Sequence, residues 1–433
     1  MTERGLPATV TDTPCSPAKR LLFLIADEFP THRVDVAVLF GTELPRRGIT
    51  CDLVAQRGRG DKLGDVVWPA GRALVCGRSG HRSRDQIAAF WHDSRCLWLA
   101  GARDYDAIQV RDKVLAGIVA LLRARRLKLP FFFWMSFPMS EGFIEIAKRE
   151  ALSLGLTRWA FMSIKGHLGR WLIYRFLLPR CDHLFVQSER MADNLVGRGI
   201  RRDRMTVVPM GVDLRELADA EPGAGALSLG STVRPVIAYL GALDRSRGLE
   251  FLLDVLVCVR KQFPDACLMF VGDASEEADR LWLKARAKEL ELEDSIIWTG
   301  WVQRVRAWNY VRQADVAVSL VPRGELFDVS SPTKVVEYLA LGLPVVANDL
   351  PDQHQVLTES GAGFSVESKV PDFADAIIRI LKEPALSAAM RAAGPPYVRA
   401  RRSYAVIGER VAAVYHQLLS RSGAPGSARN KWS

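Results

Sequence analysis

The sequence contains no apolar run long enough to cross a bilayer. Its longest, residues 129–139, is interrupted by Pro130, Ser136 and Pro138, whereas a spanning helix needs about 20 consecutive apolar residues. Paired cysteines are also missing. The seven cysteines (Cys15, Cys51, Cys76, Cys96, Cys181, Cys258 and Cys267) are odd in number, scattered, and never form CxxC. That pattern indicates neither a zinc site nor a disulfide framework, and fits a reducing compartment. Histidine is sparse, and His32, His167 and His183 match no ligand or triad spacing, so no metal is expected. Residues 1–19 lack the apolar core of a signal peptide and read as a disordered N-terminus. Residues 420–433, rich in Ser, Gly and Arg, read as a disordered tail. The expected location is cytoplasmic.

What is present is ordinary globular composition, 48% hydrophobic and 25% charged, over 433 residues. That length exceeds one hydrophobic core, so two or three domains are expected. A net charge of +10 points to an anionic partner: nucleic acid, anionic lipid or a phosphorylated substrate. No nucleic-acid recognition motif accompanies it, so nucleic acid is not the expected partner.

Short β-branched runs alternate with helical periods along the chain. Strands are predicted at 20–26, 51–55, 73–76, 96–100, 107–111, 131–135, 182–188 and 206–209, with helices near 34–44, 84–92, 113–126 and 189–198. A small-residue linker at 219–235 separates this half, 20–218, from a second, 236–400. There, strands at 236–240, 267–271, 295–299 and 315–320 alternate with helices near 248–261, 276–290 and 302–313. A last helix, 401–419, is expected to pack back toward the first domain. The fold class is α/β, with two Rossmann-like, doubly wound parallel-sheet domains facing across a cleft.

The most informative stretch is FDVSSPTKVVEYLALGLPVVAND, residues 327–349. Ser331 is placed as an N-cap and Pro332 at the first helical position; Gly342 and Pro344 end the helix. Lys334 then falls in the first turn, where the macrodipole disfavours a cation. A phosphate resting on the helix N-terminus would remove that anomaly, and Glu337 lies along the same side. The alternative is an exposed Lys–Glu pair of about 0.2–0.5 kcal/mol. In YLGALDRSRG (239–248), Gly241 allows close backbone approach, while Arg245 and Arg247 offer guanidinium forks suited to a diphosphate, or two solvated loop arginines. Gly272, the Gly300-Trp301 turn and the Ser330–Lys334 loop should share that sheet edge.

The segments YLGALDRSRGLEFLL, LMFVGDA, IIWTGWV, ADVAVSLVP and SPTKVVEYLALGLPVVAND, with CDHLFVQSERMADNL and VVPMGVD before the linker, form a recognisable set. The set resembles the retaining GT-B glycosyltransferases of the nucleotide-sugar-dependent family 4, well over 180–400 and by architecture alone over the first 150 residues. The resemblance implies transfer of a sugar from a nucleoside diphosphate to a saccharide or lipid-linked saccharide, with no cofactor. It implies that Glu337, the second glutamate of the family's E-x7-E motif, binds the ribose, and that Arg247 contacts the diphosphate. It places Ser330, Ser331, Thr333 and Val335 at the diphosphate and sugar, and Gly300, Trp301 and Val302 at the base. With the helix N-terminus, Arg245, Arg247 and Lys334 would stabilise the leaving group without metal.

The chain departs from that pattern at several positions. Val329 replaces the first motif glutamate, and Ala242 replaces a diphosphate-binding arginine that Arg245 could supply. Asp328 or Glu325 could serve the donor sugar. The glycine-rich loop after the first strand is replaced by Pro30, Thr31, His32 and Arg33, and Ser136 lies near a usual histidine. His32 and Ser136 are the remaining acceptor or sugar candidates. Residues 158–180 mix Trp159, Phe161, Trp171 and Phe176 with Lys165, Arg170 and Arg175. They fit either a helix in an anionic membrane interface or one packed into the first domain. Asp104-Tyr105-Asp106 imitates a DxD metal motif but precedes a strand, at the wrong edge for a ligand. Competing readings are an epimerase or phosphorylase on the same fold, and a degenerate, nucleotide-binding homologue.

Overall fold

The computed structural model describes residues 18–31, 33–58, 67–149, 155–219 and 235–423. The termini 1–17 and 424–433, most of the expected linker and His32 lie outside the described residues. Two parallel sheets result. The first contains β1 (Lys19–Phe29), β2 (Ile49–Arg57), β3 (Ala73–Cys76), β4 (Ala107–Arg111), β5 (Phe131–Met135), β6 (His183–Val186) and β7 (Met205–Val207), in the order β3-β2-β1-β4-β5-β6-β7. The second contains β8 (Val236–Leu240), β9 (Cys267–Val271), β10 (Ile296–Trp298), β11 (Val316–Ser319), β12 (Val345–Asn348) and β13 (Gly363–Val366), in the order β10-β9-β8-β11-β12-β13. Both are doubly wound, with strand order reversing at β1/β4 and at β8/β11, where ligand crevices open at carboxyl ends.

The strands are nearly continuous apolar runs because helices cover both faces of each sheet. Leu22, Val110, Phe133 and Leu184 pack one face of the first sheet, and Phe23, Phe132 and Trp134 the other. That second face is completed from the far end of the chain. The helix Tyr404–Gly423 lays Tyr404, Ile407, Val411, Tyr415 and Leu419 into it. Tyr415 packs 5.0 Å from the Phe185 ring and donates its hydroxyl to Gln109 Oε1. This helix continues through 420–423, which the sequence assigns to the tail.

One predicted strand is a helix. Residues 96–100 are the end of Arg82–Leu99, where Cys96 is half-buried and Leu97 buried while Trp98 and Leu99 face solvent. The run is apolar without being two-sided, so it needs no sheet partner. Residues 158–180 form a helix, Leu156–Leu172, extended by Ile173–Leu177 and Leu178–Arg180. Only its end, Ile173, Leu177 and Leu178, enters the core; the rest packs on Met139–Arg149 and leaves Phe161, Ile164, Leu168 and Trp171 exposed.

Candidate functional site

Three glycines close three adjacent strands on one edge of the second sheet: Gly241 after β8, Gly272 after β9 and Gly300 beyond β10. Gly241 (φ +142°) and Gly272 (φ +140°) both have backbone that L side chains rarely adopt. A Cβ on Gly272 would overlap the Gly241 carbonyl oxygen, and Gly272 forms an antiparallel bridge with Gly300. A Cβ on Gly241 would lie 2.7 Å from Lys334 Cε and 3.2 Å from its Nζ. The glycines are therefore what lets the backbone lie flat and lets the lysine cross it. Gly272→Ala is expected to destabilise the protein by about 1–3 kcal/mol through backbone strain alone, read as a lowered urea midpoint. An unchanged midpoint would show that this edge yields.

Beside them, the helix Thr333–Ala340 opens at the β8/β11 reversal. Its start differs from expectation. Pro332 is the N-cap, with no side-chain hydrogen bond, and the helix begins at Thr333. Ser331 is buried and its hydroxyl is committed elsewhere: it donates to Asp352 Oδ2 (2.8 Å) and accepts from the Met210 N–H (3.0 Å). The first-turn N–H groups thus have no side-chain cap, which leaves the positive end of the helix available to an anion. Ser330 is half-buried and donates to the Phe327 carbonyl. Val335 is a core residue, so its backbone alone faces the opening.

Lys334 Nζ lies 5.0 Å from the centre of the Tyr239 ring, and no carboxylate pairs with it among the described residues. Arg247, half-buried in the Arg245–Arg247 turn, likewise has no ion-pair partner there. Arg245 is exposed and stacks on Trp282, 4.7 Å from its ring. It is Lys334, lying across Gly241 beside Ala242, that occupies the neighbourhood of the missing arginine. Glu337 is buried; burial pushes its carboxyl up to about 7, Arg304 and Lys334 pull it down, and Glu216 adds to the rise. Arg304 itself pairs with Glu216 at 3.0 Å. Trp301 is 77% exposed at the rim, with Val302 half-buried beside it.

Two family models match in tandem: "Glycosyltransferase Family 4" over residues 35–216 and "Glycosyl transferases group 1" over 229–395. The chain is a family 4 glycosyltransferase with the GT-B fold. Among its relatives is a phosphatidyl-myo-inositol mannosyltransferase of Mycobacterium leprae, 26% identical over 86% of this chain and 90% of that one. Another, from Corynebacterium glutamicum, is a GDP-mannose-dependent monoacylated alpha-(1-6)-phosphatidylinositol monomannoside mannosyltransferase, 30% identical over 47% of this chain and 54% of that one. Among solved structures, Anabaena Alr3699/HepE in complex with UDP and glucose superposes with a TM-score of 0.66 at 17% identity, covering 92% of this chain and all of that one.

The glycosyltransferase brings its two domains together through the loop at 324–330. Val329, the position of the missing motif glutamate, is 3% exposed and packs with Met135, Val186, Met191 and Leu195 of the first domain. Its carbonyl accepts from Ser188 Oγ at 2.6 Å, and Phe327 meets Phe137 at 6.4 Å. A glutamate there would bury a charge among apolar groups. Beneath it Glu141, Tyr174, Arg198 and Glu325 line a pocket of about 20 Å³, room for a single water. Asp328, a sugar candidate, is instead tied to Arg323 at 2.8 Å, which also holds Asp349.

On the facing edge of the glycosyltransferase, Ser136 is buried and donates its hydroxyl to Asp112, while its N–H reaches the same carboxylate at 2.9 Å. It is a strut for that residue. Asp112 belongs to a charged knot at the β1/β4 reversal that the sequence does not reveal. Arg111 is buried against Asp35 (2.5 Å), Asp27 (3.4 Å) and Asp112 (3.5 Å). Burial pulls Arg111 down, but these carboxylates hold it above the usual arginine value; burial pushes the Asp112 carboxyl up. The available signal was positional, charges closing two adjacent central strands. His183 bonds Thr206 at 2.8 Å and burial lowers it to about 4. Asp106 pairs with Lys19 at the amino end of β4. No cluster of His, Cys, Asp and Glu able to hold a metal occurs among the described residues.

Proposed function

We propose that the protein transfers a hexose, with retained anomeric configuration and without metal, from a nucleoside-diphosphate sugar to a glycolipid acceptor at an anionic membrane surface. The observation that carries the donor half is the uncapped helix N-terminus at Thr333 with Lys334 in its first turn, a cation with no ion-pair partner among the described residues. Arg247, on the loop after β8, is assigned beside it by the resemblance. Diphosphate charge growing on the leaving group would find positive groups already in place. Thr333 and Val335 contribute backbone N–H groups, Glu337 accepts the ribose hydroxyls, and Trp301 and Val302 flank the base. The acceptor half rests on relatives named for phosphatidylinositol-type acceptors. The exposed Phe161, Ile164, Leu168 and Trp171, with Arg158, Lys165 and Arg170 on the same helix, support docking on anionic lipid.

Screening UDP- and GDP-sugars by thermal shift tests the donor assignment, since a ligand bound only to the native state raises the melting temperature. Proton NMR of the product would report the anomeric configuration. A carboxyl raised from 4.5 to about 7 must lose its proton to accept two ribose hydroxyls. Nucleotide affinity should therefore rise as pH passes upward through 7, with proton release visible by calorimetry in buffers of different ionisation enthalpy. The same raised value means that Glu337 favours the apo fold below pH 4.5 and that this contribution is lost as pH rises through 7. Glu337→Gln should remove both dependences. Pure pH-independence in the parent protein would sink the ribose role.

A further inference from the structure

The first domain carries a second opening that the donor site does not use. A groove of about 380 Å³ lies between the start of the helix Arg82–Leu99 and the helical pair Met139–Arg149 and Leu156–Leu172. That volume falls in the roughly 300–1,000 Å³ range of ligand clefts. Phe143, Phe161 and Met162 supply its apolar wall, and His81, Arg158 and Lys165 its polar rim; no carboxylate lines it among the described residues. Lys165 Nζ lies 4.2 Å from the centre of the Phe143 ring, so cation and apolar wall are adjacent. Phe161, which lines the groove, belongs to the same exposed helix face as Ile164, Leu168 and Trp171.

Its position relative to the cleft matters. Met139 begins the first helix of the pair, directly after the loop that follows β5, and Phe143 is one turn further on. One turn rises about 5.4 Å, so the groove wall begins within a single turn of the carboxyl edge where an acceptor must present its hydroxyl.

We propose that this groove holds an acyl chain of the acceptor lipid, its anionic headgroup meeting Arg158 and Lys165 and its sugar-accepting end directed into the cleft. The proposal rests on the glycolipid reading above and deepens it. Charge complementarity selects the occupant: Arg158 and Lys165 on the rim suit a phosphodiester lipid, whereas the basic face of a second copy would be repelled. An apolar slot opening on an apolar helix face lets a chain leave a bilayer without crossing water.

The test uses the full-length protein and water-soluble probes below their micellar concentration. Dihexanoyl-phosphatidylglycerol is expected to bind, glycerophosphoglycerol not to, and dihexanoyl-phosphatidylcholine to bind more weakly. Met162→Trp, which fills the groove, should weaken dihexanoyl-phosphatidylglycerol by at least about tenfold, the scale of one lost apolar pocket contact, while nucleotide binding stays unchanged and certifies the fold. If Met162→Trp does not fold, Phe161→Glu, at a side chain 58% exposed, makes the same prediction. Lys165→Glu should abolish the preference for glycerol over choline headgroups. Folded variants with the parent's affinity would overturn the proposal. So would a parent that sediments with phosphatidylglycerol vesicles yet binds no soluble two-chain lipid, and that result would leave the membrane reading standing. Binding of the soluble lipid without vesicle sedimentation would instead support the groove and sink the membrane reading.

Discussion

Lys334→Ala is expected to lower kcat by roughly 10²–10³-fold, the scale seen when one preorganised donor to a developing charge is removed. Lys334 Nζ is held between the Tyr239 ring and the Gly241 backbone, with no carboxylate at ion-pair distance among the described residues. On the proposed donor assignment its charge is already in place in the first turn of the helix and needs little reorganisation as the leaving group forms. Because the diphosphate becomes more negative only as the glycosidic bond breaks, the loss should fall mainly on kcat, with a smaller rise in KM. Arg247→Ala should act in the same direction. Arg245→Ala should change kcat much less, since that side chain is exposed and stacked on Trp282. Steady-state kinetics of the three variants decides the matter: a Lys334→Ala enzyme within threefold of the parent, beside a crippled Arg245→Ala, would reverse the assignment. Lys334 forms no ion pair in the described residues, so its melting temperature should barely move.

Arg402→Ala is expected to destabilise the protein by about 3–5 kcal/mol, the usual result of stripping one partner from a buried pair. Arg402 and Asp352 are both almost fully buried and meet at 2.8 Å. Asp352 also accepts the Ser331 hydroxyl, which in turn receives the Met210 N–H from the end of the first domain. The Arg402 backbone carbonyl also accepts the Val212 N–H. One ion pair therefore ties the donor loop, the end of the first domain and the returning C-terminal segment together. The double variant Arg402→Met, Asp352→Ala should recover much of the loss, since no buried charge remains unpaired. Urea unfolding of the single and double variants reads this directly; a single-variant loss below about 1 kcal/mol would mean that water reaches the pair.

The second sheet was legible because its strands are short apolar runs punctuated by Gly241, Gly272, Gly300 and Pro344, and the three glycines also lie on the edge of the candidate site. Side-chain direction was not legible. Arg245 and Arg247 are two residues apart, yet one stacks outward on Trp282 while the other is half-buried. Ser331 has the chemistry of an N-cap but is drawn away by Asp352 and Met210, partners 21 and 121 residues distant. Residues 96–100 misled because five apolar-looking residues fit a strand as well as the last turn of a helix. The Arg111–Asp35 pair joins positions 76 apart, and local pattern has no access to such distances.

The helix Tyr404–Gly423 finishes the first domain. Gln109 and Tyr415, bonded to each other, are 306 residues apart; at about 5–20 residues per second a ribosome needs roughly 15–60 seconds to deliver the second after the first. Through that interval the aromatic face around Phe132 and Phe185 lacks its cover, while the second sheet, complete in sequence earlier, is free to form. The first domain therefore cannot finish its core until the Tyr404–Gly423 helix has been made, although its own sheet is complete in sequence by Val207.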